Sequence, residues 1–215
     1  MIRPLKAWIG LFLFLLALYG SYSVWRVYQA MAGAPAPVQS SAVAAGPPRD
    51  LDEFSFVERN GQTVHLADLK GKVWVASFFF TECPGFCLQM NQAVAALSQE
   101  FTGVTFVSVS VDPEKDTPER LREYAAARGA DSKRWLFLIG DMDDVQQLGQ
   151  DVFKVTVVGK EHSDRLILVD RDGAVVGRYR ALEPTQLLSL KRQLKKLLAE
   201  PEKGERTQEG GTTES

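Results

Sequence analysis

The sequence predicts an α/β domain built on a buried central sheet, and three observations carry that expectation. Val73 to Phe80 is a continuous apolar run rich in β-formers, the pattern of a strand covered on both faces. Met90, Val94, Leu97 and Phe101 follow at helical spacing and make one apolar stripe. Strand-like and helix-like stretches then keep alternating toward the carboxyl end. The 215 residues, 45% hydrophobic and 24% charged, suffice for one domain with a substantial core and not for two large ones. A formal net charge of −2 gives no argument for a nucleic-acid partner, and no Lys/Arg-rich stripe suggests one; none is expected.

From the amino terminus, residues 1–29 read as a short basic tip and a membrane anchor. Ala7 to Val24 is almost wholly apolar or aromatic, long enough to span a bilayer, with Trp8, Tyr19, Tyr22 and Trp25 suited to its interfaces. Arg3 and Lys6 precede it, so the expected orientation keeps the amino terminus cytoplasmic and exports the rest. A cleaved signal peptide, processed near Ala30-Met31-Ala32, is the alternative; the run is long for such a segment, which favours a retained anchor. Residues 30–50, rich in Ala, Pro, Ser and Gly, form a flexible tether. Residues 200–215 are polar and Gly-rich, a disordered tail.

The folded part is expected over residues 51–199. Phe54 to Val57 and Thr63 to Leu66 flank an Arg59-Asn60-Gly61 turn as a hairpin. The buried strand and the helix carrying Met90 come next, then a strand over Val104 to Val111. Thr117 caps, and Pro118 opens, a helix with Leu121 and Tyr124 inward. Trp135 to Gly140 is a short strand, Asp141 to Gln150 a short helix, and Val152 to Val158 an apolar, strand-like segment. Arg165 to Asp170 and Val175 to Tyr179 form a hairpin around Arg171-Asp172-Gly173. Pro184 opens the last helix, with Leu187, Leu190, Leu194 and Leu197 inward and its lysines solvated. That order is the order of a thioredoxin-like three-layer α/β sandwich, here preceded by a transmembrane helix.

The chain has two cysteines, Cys83 and Cys87, at the junction between the buried strand and its helix. Pro84 biases Cys83 away from the α region and itself suits a first helical position. Cys83 is therefore expected at the N-cap and Cys87 about one turn inside. Free N–H groups and the helix dipole favour thiolate there. Residues at i and i+4 on a helix have Cβ atoms ~5–6 Å apart, whereas a disulfide wants roughly 3.5–4.5 Å. A bridging metal tolerates the wider gap, with M–S bonds of about 2.3 Å. The spacing thus prefers a metal, and a reversible disulfide stays open.

The stretch Phe80-Thr81-Glu82-Cys83-Pro84-Gly85-Phe86-Cys87 resembles the Cys-Pro-x-x-x-Cys type signature of the Sco/SenC family. Val109 to Leu121, with Asp112-Pro113 and Asp116-Thr117-Pro118, is similar to that family's second signature. Glu161-His162-Ser163, followed by Leu166 to Asp170 and Gly173, matches a third. The resemblance spans roughly Asp50 to Leu198. It implies a thioredoxin-like fold that binds copper, as Cu(I) or Cu(II), through Cys83, Cys87 and His162. It also implies a Cys83–Cys87 disulfide when the pair is oxidised and metal-free. The implied work is maturing the binuclear copper centre of cytochrome c oxidase, with a copper-accepting oxidase subunit or another copper protein as partner. The expected location is the inner membrane, with the domain on the periplasmic or external side. Leu88 and Gly85 depart from the family's usual proline and acidic residue, and Glu161 stands where Asp is usual; these changes bear on the partner more than on the ligands.

Soft thiolates select Cu(I), and imidazole suits both copper oxidation states. A zinc ion in the same set would want a fourth ligand. The second functional class is a thiol-disulfide oxidoreductase that reduces an exported acceptor's cysteines, with Cys83 attacking. Peroxidase chemistry is weaker, since Thr81 and Cys83 lack the peroxiredoxin spacing. The absence of proline between Pro118 and Pro184 removes a thioredoxin-type substrate clamp and favours metal. His65 is expected to face solvent, Met90 to pack in the core, and Asp112 and Asp116 to set turns and caps rather than hold a hard cation.

Overall fold

The structure, a computed structural model, describes residues 16, 18–23, 25–26, 49–83, 85–157 and 164–200. The chain divides into two units, Met1–Gly46 and Pro47–Ser215. In the first, the described residues 16, 18–23 and 25–26 are helical, and Tyr22 and Trp25 rings lie 6.1 Å apart. Most of the predicted membrane anchor, the tether up to residue 48 and the tail from residue 201 lie outside the described residues. Among the described residues no helix is long and apolar enough to cross a membrane.

The second unit is a seven-stranded mixed sheet with helices packed on it. Strands β1 (Ser55–Glu58) and β2 (Thr63–His65) make the first hairpin, with Gly61 at φ 85 supplying its turn. Then come β3 (Val73–Phe79), α1 (Phe86–Glu100), β4 (Val104–Ser110), α2 (Pro118–Ala126) and β5 (Trp135–Ile139). Helix α3 (Met142–Gln147), strands β6 (Arg165–Val169) and β7 (Val175–Arg180), and helix α4 (Pro184–Ala199) complete it. The strand order is β2-β1-β5-β4-β3-β6-β7, with β3, β4 and β5 parallel at the centre and antiparallel neighbours outside them. Apart from the segment after α3, the expected order of elements is observed, on a mixed sheet.

All seven residues of β3 are buried, as a strand covered on both faces requires. Trp74 and Phe78 meet Phe153 edge-on, with centroids 6.0 and 5.9 Å apart. Phe79, of opposite parity, meets Tyr124 of α2 at 5.2 Å and Phe137 at 5.4 Å. The inward stripe of α1 is as predicted, with Met90, Val94, Leu97 and Phe101 all buried. In α4, Leu190, Leu194 and Leu197 are buried and Leu187 half-buried. Thr117 caps α2, accepting from Arg120 N–H. One polar chain inside the sheet satisfies itself: Ser77 and Ser108 hydroxyls lie 3.0 Å apart, and Trp135 Nε1 donates to Ser108 Oγ.

Two expectations are corrected. The segment from Val152 is no strand: α3 continues as a π-helical turn over Leu148–Phe153, ended by Lys154 in the left-handed region at φ 51. Its apolarity serves packing, since Phe153 wedges against Trp74 and Phe78, and Arg178 Nε donates to the Phe153 carbonyl. The second correction concerns the start of α1.

Candidate functional site

Helix α1 begins at Phe86 with Gly85 as its N-cap, so Cys83 stands two residues before the cap. Pro84 itself lies outside the described residues. Cys87, rather than sitting a full turn inside, is the second residue of the helix. The physical reason is that the chain turns before it coils: Cys83 N–H reaches back to the Phe80 carbonyl and Gly85 N–H to the Cys83 carbonyl. Glycine provides a cap without needing a side chain.

The two sulfurs are brought together without a disulfide between them. Cys87 N–H donates to Cys83 Sγ at 3.2 Å. Cys83 is partly exposed, Cys87 buried. Burial first, and then the hydrogen bond with Cys83, push the Cys87 thiol up to about 12. Cys83 is the sulfur nearer solvent. The donors are two sulfurs, soft and adjacent, a set that fits Cu(I) and equally fits thiol-disulfide exchange.

His162 and Glu161 lie outside the described residues. Among the described residues, no group of three His, Cys, Asp or Glu side chains could hold a metal ion. The strands that flank residues 158–163 in the sheet are defined. β6 runs antiparallel to β3 with Ala76 beside Ile167, and that register, carried on, sets Arg165 beside Phe78. Asp164, whose carbonyl accepts from Ala181 N–H, thus stands at the sheet edge where β3 ends and the cysteines begin.

Four side chains that the sequence reading gave no part in the site surround it. Asp116, 1% exposed, accepts from Thr81 Oγ1 and Ser110 Oγ, each at 2.5 Å, and from Thr81 N–H at 3.3 Å. Asp116 does not cap a helix; it ties the cysteine turn to the loop after β4. Asp112 does set a turn, its carbonyl accepting from Lys115 and Asp116 N–H. One residue on from Thr81, Glu82 bonds Lys115 at 2.5 Å and Arg120 at 3.0 Å, and these cations hold its carboxyl down at about 2. Behind Cys87, Asn91 is fully buried and its amide donates to Tyr124 Oη at 2.7 Å. Burial pushes the Tyr124 hydroxyl up. The readable signal was a pair of hydroxyls, Thr81 and Ser110, at the ends of two otherwise buried strands, which call for a shared acceptor. Met90 is core and His65 is exposed, as expected.

A cleft of about 490 Å³ lies at the other end of β3, where Lys70 meets the Asp172-Gly173 turn. Basic Arg49, Lys154 and Arg178 and acidic Asp151 share its wall, with no cysteine or histidine.

A mixed sheet with a dithiol at the strand–helix junction after a buried strand defines a thioredoxin-like α/β domain of redox or metal-binding type. The SCO1/SenC family pattern matches residues 43–199, and the chain belongs to that family. The SCO1 protein homolog of Bacillus subtilis is 33% identical over 147 residues, covering 63% of this chain and 76% of that protein. The structure of BsSco, described as a member of the Sco family of cytochrome c oxidase assembly proteins and as holding a disulfide switch, is 29% identical. It superposes with a TM-score of 0.61 over 72% of this chain and 96% of that one. ScoI of Bradyrhizobium japonicum, solved with copper bound, is 25% identical with a TM-score of 0.53, over 67% of this chain and 96% of that one.

Proposed function

We propose that this chain is a membrane-anchored copper chaperone that binds Cu(I) through Cys83, Cys87 and His162 and passes it to a cytochrome c oxidase subunit or another copper protein. The observation that carries the reading is the pair of adjacent sulfurs joined by the Cys87 N–H to Cys83 Sγ bond at the end of β3. Family membership supports it, as does a relative solved with copper bound. The register of β6 on β3 supports His162 as third ligand, because the chain re-enters the sheet at Asp164 on the cysteine side. Copper is the cargo. Two thiolates and one imidazole leave a three-coordinate site open to an incoming sulfur, so transfer proceeds by exchanging ligands one at a time. The buried Cys87 must lose its proton as the metal enters, which makes uptake proton-coupled. Residues 7–24 would hold the domain at the outer side of the membrane, on the tether of residues 30–50.

The asymmetry of the pair supports a second reading, a thiol-disulfide reductase. Cys83, the accessible sulfur, would attack an acceptor's disulfide as thiolate, forming a mixed disulfide and releasing one acceptor thiolate. Cys87 would then lose its proton and displace the second, leaving the acceptor as a dithiol and Cys83–Cys87 as the disulfide.

Cu(I) titration of the full chain against a chromophoric chelator separates the two. The chaperone reading expects one tightly held Cu(I) per chain, lost in Cys83→Ser and Cys87→Ser and weakened in His162→Ala. Unchanged affinity and absorption in His162→Ala would remove the histidine from the site. Turnover of a cysteine-pair substrate at the same rate with and without His162 would favour the reductase.

A further inference from the structure

Cys83 lies outside the helix, so no helical hydrogen bond fixes it relative to Cys87. Its turn is short and its own N–H bond to Phe80 is long, at 3.4 Å. What the turn has is an anchor two residues upstream. Thr81 gives both its N–H and its hydroxyl to Asp116, and Ser110 gives its hydroxyl to the same carboxylate. Ser110 Oγ in turn accepts from Asp112 N–H at 3.0 Å, so the last residue of β4 braces the loop that presents Asp116. β3 and β4 are parallel with Phe79 beside Ser110, which brings both loops to one sheet edge.

A carboxylate that is 1% exposed is a costly way to join two loops unless donors converge on it. Here three do, and among the described residues no Lys or Arg pairs with it. In general a charged acceptor holds its donors closer, and sets their direction more tightly, than a neutral acceptor would. We infer that Asp116 is a positioning residue of the dithiol site: by holding Thr81 and Ser110 together it fixes the turn that keeps Cys83 Sγ within reach of Cys87. Asp116 touches neither sulfur in the contacts described; it acts through Thr81. The inference deepens the proposed function and rests on that reading for its metal arm alone.

The test uses the full chain as Asp116→Asn, Thr81→Val and Thr81→Ser, with Leu197→Ala as a destabilised control at the far end of α4. Loss of a group that orients a ligand lowers metal affinity about 10–100-fold. Asp116→Asn is expected to weaken Cu(I) about 10-fold or more and to speed alkylation of Cys83 by iodoacetamide in the metal-free protein. Thr81→Val should move both readouts in the same direction by less, Thr81→Ser should restore both, and Leu197→Ala should leave both unchanged while lowering the unfolding midpoint. Should Asp116→Asn fail to fold, Thr81→Val and Ser110→Ala carry the comparison. Variants that unfold earlier yet bind Cu(I) within twofold of wild type, with Cys83 alkylated at the wild-type rate, would overturn the positioning role. A wild type that takes up no Cu(I) would sink the chaperone reading instead, and the alkylation series would still decide the role of Asp116.

Discussion

Thr81 and Glu82 are neighbours in one turn, and both reach across to the loop and helix that follow β4, yet their links differ in kind. Thr81 meets a buried carboxylate that has no cation beside it among the described residues. Glu82 meets two cations in the open, with side chains of Glu82, Lys115 and Arg120 all more than 40% exposed. In water an ion pair trades hydration for an attraction that salt screens, and its net worth is small. In the interior, the donors on Asp116 have no water to fall back on, so losing one leaves a charge short of partners. The inner link therefore fixes the position of the cysteine turn, and the outer one covers it.

Breaking the inner link has the largest expected effect. Hydrogen bonds to charged groups contribute about 1.5–3 kcal/mol each, and Asp116→Asn removes the charge and points a donor at donors. The expected loss is about 2–3 kcal/mol of unfolding free energy, read from urea denaturation. Thr81→Val removes one hydroxyl donor and keeps the N–H, for about 1–2 kcal/mol in the same assay. A loss from Thr81→Val equal to that from Asp116→Asn would mean Ser110 contributes nothing. Proton release comes next. Because Cys87 is held at about 12, its thiol is protonated throughout the neutral range, so uptake of Cu(I) should release at least one proton. The logarithm of affinity should then rise by about one or more per pH unit between about pH 6 and 8. Calorimetry in buffers of different ionisation heat counts that proton directly, and a pH-independent affinity would contradict it.

The smallest effect belongs to the outer link. The Glu82 carboxyl is depressed from its ordinary 4.5 to about 2 by Lys115 and Arg120. Its contribution is complete above about 4.5 and fades only as pH falls through about 2, so acid weakening above that range has another origin. Glu82→Gln is expected to leave the urea midpoint unchanged within error at about 1 M salt and to shift it at most slightly at low salt. A shift as large as that of Thr81→Val would reverse the comparison.

How far all this could be read from residues alone depends on which signal each element gives. The hairpins, the central strands and the inward stripes of α1 and α4 announce themselves through period and turn residues, and they stand as expected. The start of α1 does not. A proline after Cys83 fits a first helical position but fits an entering turn as well, and Gly85 behind it offered a cap that side-chain preference overlooks. The Val152 segment misled because continuous apolarity cannot separate a strand from a π-turn that buries Phe153. Asp116 was hidden by its setting. In a loop between Pro113 and Pro118 an aspartate is ordinarily a turn former, and only the parallel register of β3 on β4 brings it beneath Thr81.

The central claim is that two sulfurs and one imidazole share a soft ion. X-ray absorption at the copper edge on the full chain loaded with one Cu(I) addresses it most directly. The account predicts two sulfur neighbours and one nitrogen, with one sulfur lost in Cys83→Ser and in Cys87→Ser and the nitrogen lost in His162→Ala. A wild-type spectrum with a single sulfur, or with oxygen and nitrogen alone, would contradict it.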